Sequence, residues 1–311
     1  MNKIIRTVAG DIPAGDISGT LLVHEHVTID LYYRNLDVDL LLAKSPEVVA
    51  DVQAAKAAGV GLIVDVTPYD IGRNHLEQVE ISAGSGVHIV SCTGYYLPRY
   101  YPYTVALWDE PRLADFMVGE ITEGIAGSAV RAGVIGEIGW DEGQDAETEA
   151  LQHKVFRAAA MASRRTGAPI VTHTFWGERG YAQLQVLLDA GARADRILIG
   201  HMDCAKSMTD LYRIVEAGAY VGIDRIGLPR YNSDETRVRM LMELVAAGFA
   251  ERILISSDIA RRSRLGGNAG YRTVNRFTQM LAETGAGKAL LHQLTHVNPK
   301  AFLSIGKVEP G

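Results

Sequence analysis

Eight short apolar segments recur along the chain, and their spacing constrains the fold more than any other feature. Each is rich in Val and Ile and apolar at nearly every position, which is typical of strands buried on both faces. They cover residues 20–26, 61–67, 87–93, 133–139, 169–174, 196–201, 219–226 and 252–258. Helical stretches separate them, so the sequence predicts a closed parallel (β/α)8 barrel (a TIM barrel) in preference to a doubly wound sheet.

Capping residues set the limits of the predicted helices. Ser45 followed by Pro46 is a helix start, and glycines such as Gly167 follow the last helical residue. The predicted helices cover residues 46–58, 148–166, 178–190, 207–217 and 234–247. Residues 4–19 predict a small N-terminal hairpin, and residues 288–303 predict an extra C-terminal helix. Without a linker or low-complexity tract, we expect a single domain over residues 1–311.

Composition excludes several classes of partner. The net charge of −6 argues against a nucleic-acid partner, which needs a basic surface. The two cysteines, Cys92 and Cys204, each lie in a predicted buried strand or just beyond its end, and no disulfide framework is expected. No apolar run reaches membrane-spanning length. We therefore expect no membrane partner and a cytoplasmic protein.

Ionisable residues lie at or near the C-terminal ends of five predicted strands. In a (β/α)8 barrel these ends meet on one face, where active sites are built. A single histidine in an apolar run is usually a core residue, but burying six ionisable groups together without a metal or ion pairs would be costly. The candidate metal ligands are His24, His26, Glu137, His173, His201 and Asp258.

Four imidazoles and two carboxylates suit Zn, Mn, Fe, Co or Ni. One catalytic zinc takes about three protein ligands, so six predict two divalent ions, with zinc preferred, roughly 3.5–4 Å apart. Alternation along the strand should turn His24 and His26 inward and Glu25 outward. Glu137 is the candidate bridge, because a carboxylate can bind two ions. A non-catalytic metal-binding barrel is the alternative from another functional class.

These residues resemble the amidohydrolase superfamily, and more narrowly its phosphotriesterase-related branch. The resemblance covers nearly the whole chain in order. It rests on residues 22–26, 93–96, 133–139, 171–174, 199–203, 256–258 and 298–303.

The resemblance implies a role for each ligand. His24, His26 and Asp258 would hold the more buried ion, and His173 and His201 the more exposed one. Glu137 would bridge them where many relatives carry a carboxylated lysine, as in the glutamate-bridged homology-protein group. A metal-bridging hydroxide would attack the substrate and Asp258 would take its proton, while Tyr96 or Tyr95 would donate a hydrogen bond to the carbonyl.

Two departures from phosphotriesterases bear on the substrate. Those enzymes carry a histidine after the strand-7 aspartate and a second aspartate after strand 6, whereas here Arg225 follows Asp224 and Cys204 follows Asp203. The arginine resembles the lactonase members, so we expect hydrolysis of lactones or carboxylic esters. A phosphotriesterase or phosphodiesterase and an amidase acting on N-acyl amino acids remain alternatives.

Basic residues follow strands 7 and 8, and aromatic residues follow strand 3. In an acidic chain they suggest a small-molecule substrate with an anionic group, such as a phosphorylated sugar lactone. The alternative is that the arginines form structural ion pairs. The candidate substrate-binding residues are Tyr95, Tyr96, Arg225, Arg230, Arg261, Arg262, Arg264 and Tyr271. The resemblance also implies a homodimer.

Overall fold

Eight parallel strands form the barrel in the computed structural model, which describes residues 3–141, 143–267 and 269–306. Barrel strands 1 to 8 are, in order, Thr20–Glu25, Val60–Asp65, His88–Val90 with Cys92–Thr93, Val134–Gly139, Ile170–His173, Ile197–Ile199, Tyr220–Ile223 and Ile253–Ile255. Each pairs with the next along the chain. The predicted (β/α)8 barrel is confirmed.

Backbone hydrogen bonds close the barrel between its first and last strands. The amide of Asp258 donates to the carbonyl of His24, and the amide of His26 donates to the carbonyl of Ile259, both at 3.2 Å. The closure therefore runs through the segments that carry three of the candidate ligands.

A helix follows each strand on the outside of the barrel. Ser45 caps the first helix through Val48 N (3.3 Å), as predicted. The fourth of these helices, Ala146–Thr166, begins two residues before the predicted start, because Asp145 is its N-cap. The eight helices are Pro46–Ala57, His75–Ser85, Glu110–Thr122, Ala146–Thr166, Gly180–Asp189, Thr209–Glu216, Asp234–Ala246 and Thr273–Glu283.

Shorter helical elements lie in the connections. Two are α-helical turns, Tyr32–Asn35 and Tyr103–Leu107. The 3-10 turns are Ala14–Asp16, Val38–Leu40, Tyr69–Ile71, Pro98–Tyr100, Ile125–Gly127, Ala194–Arg196, Met202–Cys204, Ala250–Arg252, Arg262–Arg264 and Gly270–Arg272. A two-stranded ribbon, Ile29–Asp30 with Leu41–Leu42, lies in the loop after barrel strand 1. None of the helices in the described part of the chain is long and apolar enough to span a membrane.

The two ends of the described chain meet in one small sheet. Lys3–Thr7 and Gly10–Pro13 form the predicted hairpin, and Ile305–Gly306 adds an antiparallel strand that the sequence analysis missed. The predicted C-terminal helix is present as Lys288–His292, a π-helical turn Gln293–Val297 and Asn298–Leu303. Phe302 packs with the apolar residues inside the barrel.

Apolar side chains alternate between an inner and an outer core. Leu21, Val23 and Val171 belong to the inner cluster, while Leu22 and Ile170 belong to the outer one, which includes the helices. The inner cluster fills the barrel below the ionisable residues, so these residues lie at the C-terminal mouth of a packed core.

Candidate metal centre

The structure brings the six candidate ligands together at the C-terminal end of the barrel. Glu137 lies at their centre: its Oε2 is 2.9 Å from His173 Nδ1, 3.2 Å from His24 Nε2 and 3.7 Å from His201 Nε2. Its Oε1 is 3.5 Å from His26 Nε2. A carboxylate within reach of four imidazoles has the position that a bridge between two ions requires.

Two overlapping groups have ligand atoms close enough to share an ion. His24, His26 and Asp258 form the first group, and His24, Glu137 and His201 form the second. Asp258 Oδ1 lies 3.4 Å from His26 Nε2. His173 Nδ1 is 3.1 Å from His201 Nε2 and completes the second side of the cluster.

Strand bulges turn two of the ligands inward. Because Val23 is in the inner cluster, strict alternation would send His24 outward. Leu22 of strand 1 pairs with Ile63 of strand 2, and Glu25 pairs with Asp65. Two residues of strand 1, Val23 and His24, therefore lie opposite the single residue Val64. The extra residue restores the inward direction that the sequence analysis predicted from plain alternation.

A bulge in strand 4 also sets the direction of the Glu137 side chain. Ile135 pairs with Ile170 and Ile138 with Thr172, so Gly136 and Glu137 together face Val171. Gly136 has φ +109°, and a Cβ there would lie 2.0 Å from Val171 O. Only glycine fits this bulge, and the bulge points Glu137 at the histidines.

A left-handed backbone conformation sets the side-chain direction of two further ligands. His201 has φ 61° and Asp258 has φ 49°. Such a conformation costs a non-glycine residue about 1–3 kcal/mol and is concentrated at functional sites. His173 needs no such distortion, because Val171 and His173 lie on the same face of a regular strand.

Neighbouring side chains orient the imidazoles, and the sequence analysis missed the most important one. Asp224, at the end of strand 7, lies 2.9 Å from His201 Nδ1 and 3.1 Å from His24 Nδ1. Thr67 Oγ1 lies 2.8 Å from His26 Nδ1. Glu25 points away, accepts from Ser257 N and Ile259 N, and joins strand 1 to the chain after strand 8. The signal for Asp224 was its place at the end of an apolar run.

Burial acts to lower the pKa of every ligand imidazole, but nearby carboxylates outweigh it at His24, His26 and His201 and raise those three pKa values. Burial lowers the pKa of His173 to about 4, so this ring is neutral near pH 7, which is the form that binds metals. Burial also acts to raise the pKa of Asp258, but the charges of His201 and Arg225 outweigh it and hold that pKa well below its usual value.

The residues present fit divalent cations. His24 Nε2 is fully buried and makes no hydrogen bond of good geometry within residues 3–141, 143–267 and 269–306. It faces two carboxylates and two other imidazoles, a mixed nitrogen and oxygen set that suits zinc and its neighbours. Cations at this point would satisfy an otherwise costly buried group.

A cavity of about 150 Å³ opens above the six residues. Tyr96 lies on its wall, with its hydroxyl 3.4 Å from the His173 ring nitrogens. Arg225 is buried, donates from Nε to Asp258 Oδ2 (3.1 Å) and lies 4.0 Å above the Tyr231 ring. Apolar side chains, including Ile29, Leu31 and Leu228, complete the wall.

The structure separates the predicted arginine cluster into different environments. Arg261 lines the cavity but pairs with Asp37 (3.0 Å) and Asp39 (3.2 Å), as the ion-pair alternative predicted. Arg264 also lines it; its Nη1 donates to Gly227 O (2.5 Å), while its buried Nε and Nη2 have no partner among the described residues. Arg230 and Arg262 are exposed and lie outside the cavity wall.

Two predicted aromatic contacts are also absent from the cavity wall. Tyr271 is fully buried, and its hydroxyl donates to His26 O (2.7 Å), so it supports strand 1 from behind. Tyr95 stacks on Phe116 at 5.9 Å and faces a separate cavity. The structure does not bring Tyr95, Tyr271, Arg230 and Arg262 to the wall of this cavity, and their contact with substrate stays a prediction. Sequence position alone did not show the direction of these side chains.

Comparison with known proteins identifies relatives over almost the whole chain. The sequence profile of the phosphotriesterase family matches residues 3–303. The phosphotriesterase homology protein of Escherichia coli is 35% identical over 290 residues, covering 92% of this chain and 98% of that protein. Its crystal structure, with phosphate in the active site, has a TM-score of 0.88 and covers 93% of this chain and 99% of that one.

Two further relatives carry different activities in their names. The lactonase Lmo2620 of Listeria monocytogenes has a TM-score of 0.89 at 28% identity, covering 98% of this chain and 100% of that one. An N-acetyltaurine hydrolase of Xenopus tropicalis is 28% identical over 291 residues, covering 88% of this chain and 81% of that protein.

Proposed function

Because the chain belongs to the phosphotriesterase family of hydrolases, we propose that it hydrolyses lactones or carboxylic esters that carry an anionic group. The six clustered residues would hold two divalent ions, for which we propose zinc. When bound, these ions would supply a Lewis acid for the carbonyl oxygen and lower the pKa of an attacking water.

The side chains have separate tasks in this reaction. Asp258 accepts a proton from water as the new carbon–oxygen bond forms, and returns it to the leaving alkoxide as the ester bond breaks. Arg225 Nε, 3.1 Å from Asp258 Oδ2, holds the carboxylate in place. The Tyr96 hydroxyl donates to the carbonyl oxygen, and the apolar wall limits access of bulk water.

The observation that supports an anionic substrate is that Arg264 pairs with no carboxylate of the described residues and that its buried Nε and Nη2 have no acceptor there. Arg225 pairs with Asp258 and Arg261 with Asp37 and Asp39, but Arg264 has no carboxylate partner within the described ranges. Two buried guanidinium nitrogens whose N–H groups have no acceptor are costly unless a ligand supplies the oxygens. The phosphate in the Escherichia coli relative is in keeping with an anion at this end of the barrel.

A panel of lactones with and without a phosphate tests this assignment. Arg264→Met should lower kcat/KM for the phosphorylated lactone roughly 10- to 150-fold, because a hydrogen bond to a charged group contributes about 1.5–3 kcal/mol. It should leave the neutral lactone unchanged. Arg262→Met, an exposed arginine two residues earlier, is the matched control. Equal losses for both lactones would refute the anion contact.

An amidase is the second candidate, favoured by the N-acetyltaurine hydrolase relative. N-acetyltaurine is an amide that carries a sulfonate, which Arg264 could bind as it would a phosphate. Comparing kcat/KM for N-acyl taurines and N-acyl amino acids with that for the lactones distinguishes the two reactions. Turnover of paraoxon above that of the lactones would instead favour a phosphotriesterase.

We also propose that residues 1–311 form one catalytic domain and that the protein is a homodimer. Tyr33, Leu36 and Tyr103 are each about 80% exposed, and such apolar side chains are typical of an interface. Sedimentation equilibrium tests the dimer. The cytoplasmic location remains a prediction.

A further inference from the structure

Asp224 contacts two of the candidate ligands, His24 at strand 1 and His201 after strand 6. Its Oδ1 lies 2.8 Å from His201 N and 2.9 Å from His201 Nδ1, and its Oδ2 lies 3.1 Å from His24 Nδ1. The carboxylate is fully buried, and neither Oδ2 nor His24 Nδ1 makes a hydrogen bond of good geometry in the described part of the chain, so each is the nearest described polar contact of the other.

A carboxylate at this position dictates where both imidazoles carry their hydrogen. An ionised aspartate only accepts hydrogen bonds, so Nδ1 of His201 is the protonated nitrogen of that ring. The 3.1 Å approach of Oδ2 to Nδ1 of His24 favours a hydrogen there as well, because two facing lone pairs would repel each other. The lone pair of each ring is then on Nε2. Both Nε2 atoms face Glu137 and Asp258, at 3.2 and 4.0 Å for His24 and at 3.7 and 3.9 Å for His201.

The neighbouring strands leave room for this carboxylate. A Cβ at Gly222 would lie 2.3 Å from Asp224 Oδ2, and one at Gly200 would lie 3.4 Å from the same atom. Strand 7 therefore has glycine at position 222, where any larger residue would press on Asp224, whereas a Cβ at Gly200 would clash with Thr172 O (2.2 Å) instead. The packing around the side chain supports a specific position for it.

We propose that Asp224 is a shared positioning residue, which fixes the metal-binding tautomer of His24 and His201 together and so links the occupancy of the two ion sites. This inference rests on the metal centre of the proposed function. Orientation of a histidine ligand by its other ring nitrogen is a general feature of metal sites. The specific feature of this protein is that a single carboxylate, Asp224, contacts the rings of two candidate ligands.

Asp224→Asn gives an asymmetric test, because an amide has one acceptor and one donor. The backbone N–H of His201 holds the amide oxygen beside His201, which keeps its tautomer. The amide N–H2 then faces His24 Nδ1 and moves the ring hydrogen of His24 to Nε2. The variant should therefore bind about one zinc per chain, against about two in the wild type.

Metal content after equilibrium dialysis against zinc provides the first measurement. Proton NMR of the zinc-loaded, 15N-histidine-labelled protein provides the second, since the Nδ1–H signal of His24 should disappear while that of His201 remains. Asp51→Asn is the matched control: Asp51 is a buried carboxylate that accepts from Gly266 N and Tyr271 N and touches no imidazole. It should retain the wild-type zinc content.

Gly222→Ala retains the Asp224 carboxylate but displaces it, so this variant should also bind less zinc than the wild type. It provides the test of the proposal if Asp224→Asn does not fold. Wild-type zinc content and both Nδ1–H signals in a folded Asp224→Asn protein would overturn the positioning role. A wild-type protein that binds less than about one zinc would overturn the metal centre of the proposed function itself.

Discussion

Arg237 offers the sharpest test of how the barrel supports its pocket. It is fully buried on helix Asp234–Ala246. Its guanidinium contacts Asp203 and donates to Asp234 Oδ1 (2.9 Å), Asn232 O (2.7 Å) and Leu228 O (3.1 Å). The last two carbonyls belong to the loop after strand 7, which carries part of the cavity wall.

Arg237→Met should lower the free energy of unfolding by about 3–5 kcal/mol, the usual cost of removing one partner from a buried ion pair. The reason is that Asp203, which is 0% exposed, loses the guanidinium that compensates its burial. Against a total stability of about 5–15 kcal/mol, the loss is large enough to measure directly.

Urea unfolding followed by circular dichroism, at one fixed zinc concentration, measures this loss. Arg239→Met is the matched control, because Arg239 lies on the same helix, is exposed and donates a hydrogen bond to Thr236 Oγ1 (3.0 Å). It should change the free energy of unfolding by no more than about 0.5 kcal/mol. A loss below about 1 kcal/mol for Arg237→Met would refute the reasoning.

Three further predictions concern the metal centre and its support. Chelation should abolish hydrolysis and lower Tm, since an ion at 1,000 times its Kd stabilises the fold by about 4 kcal/mol; an unchanged Tm would contradict the site. Asp258→Asn should retain zinc but lose about 100-fold or more in kcat, and near wild-type kcat would exclude its proton role. Tyr271→Phe should lower the free energy of unfolding by about 0.5–1.5 kcal/mol, through the lost bond to His26 O, with kcat/KM unchanged; a large loss of kcat/KM would return Tyr271 to the substrate site.

The fold and the clustering of the candidate ligands could be predicted because both follow from local pattern. Eight buried strands must place their C-terminal ends on one face, so His173 and Glu137 meet although nothing in the sequence joins them directly. The bulges were not predicted, because a bulge is a property of the register between two paired strands, which the sequence of one strand does not give. The direction of His24 was thus predicted correctly, but plain alternation does not explain it.

The substrate side was less predictable because charged side chains choose partners far away in the chain. Arg261 pairs with Asp37, which lies 224 residues earlier. Arg264, three residues later, keeps free N–H groups. No local signal distinguishes the two arginines. Asp224 lies at the end of an apolar run, but its two imidazole partners come from different strands, so the sequence did not show which rings it contacts.

The left-handed backbone at His201 and Asp258 has a consequence for protein engineering. Replacing either residue with glycine would relieve local strain at the cost of a ligand. Bound zinc stabilises the fold by about 4 kcal/mol at 1,000 times its Kd, which exceeds this strain, so a selection for heat tolerance in the presence of zinc should retain both residues. Directed evolution of this barrel should hold both positions constant and seek stability in the outer helices instead.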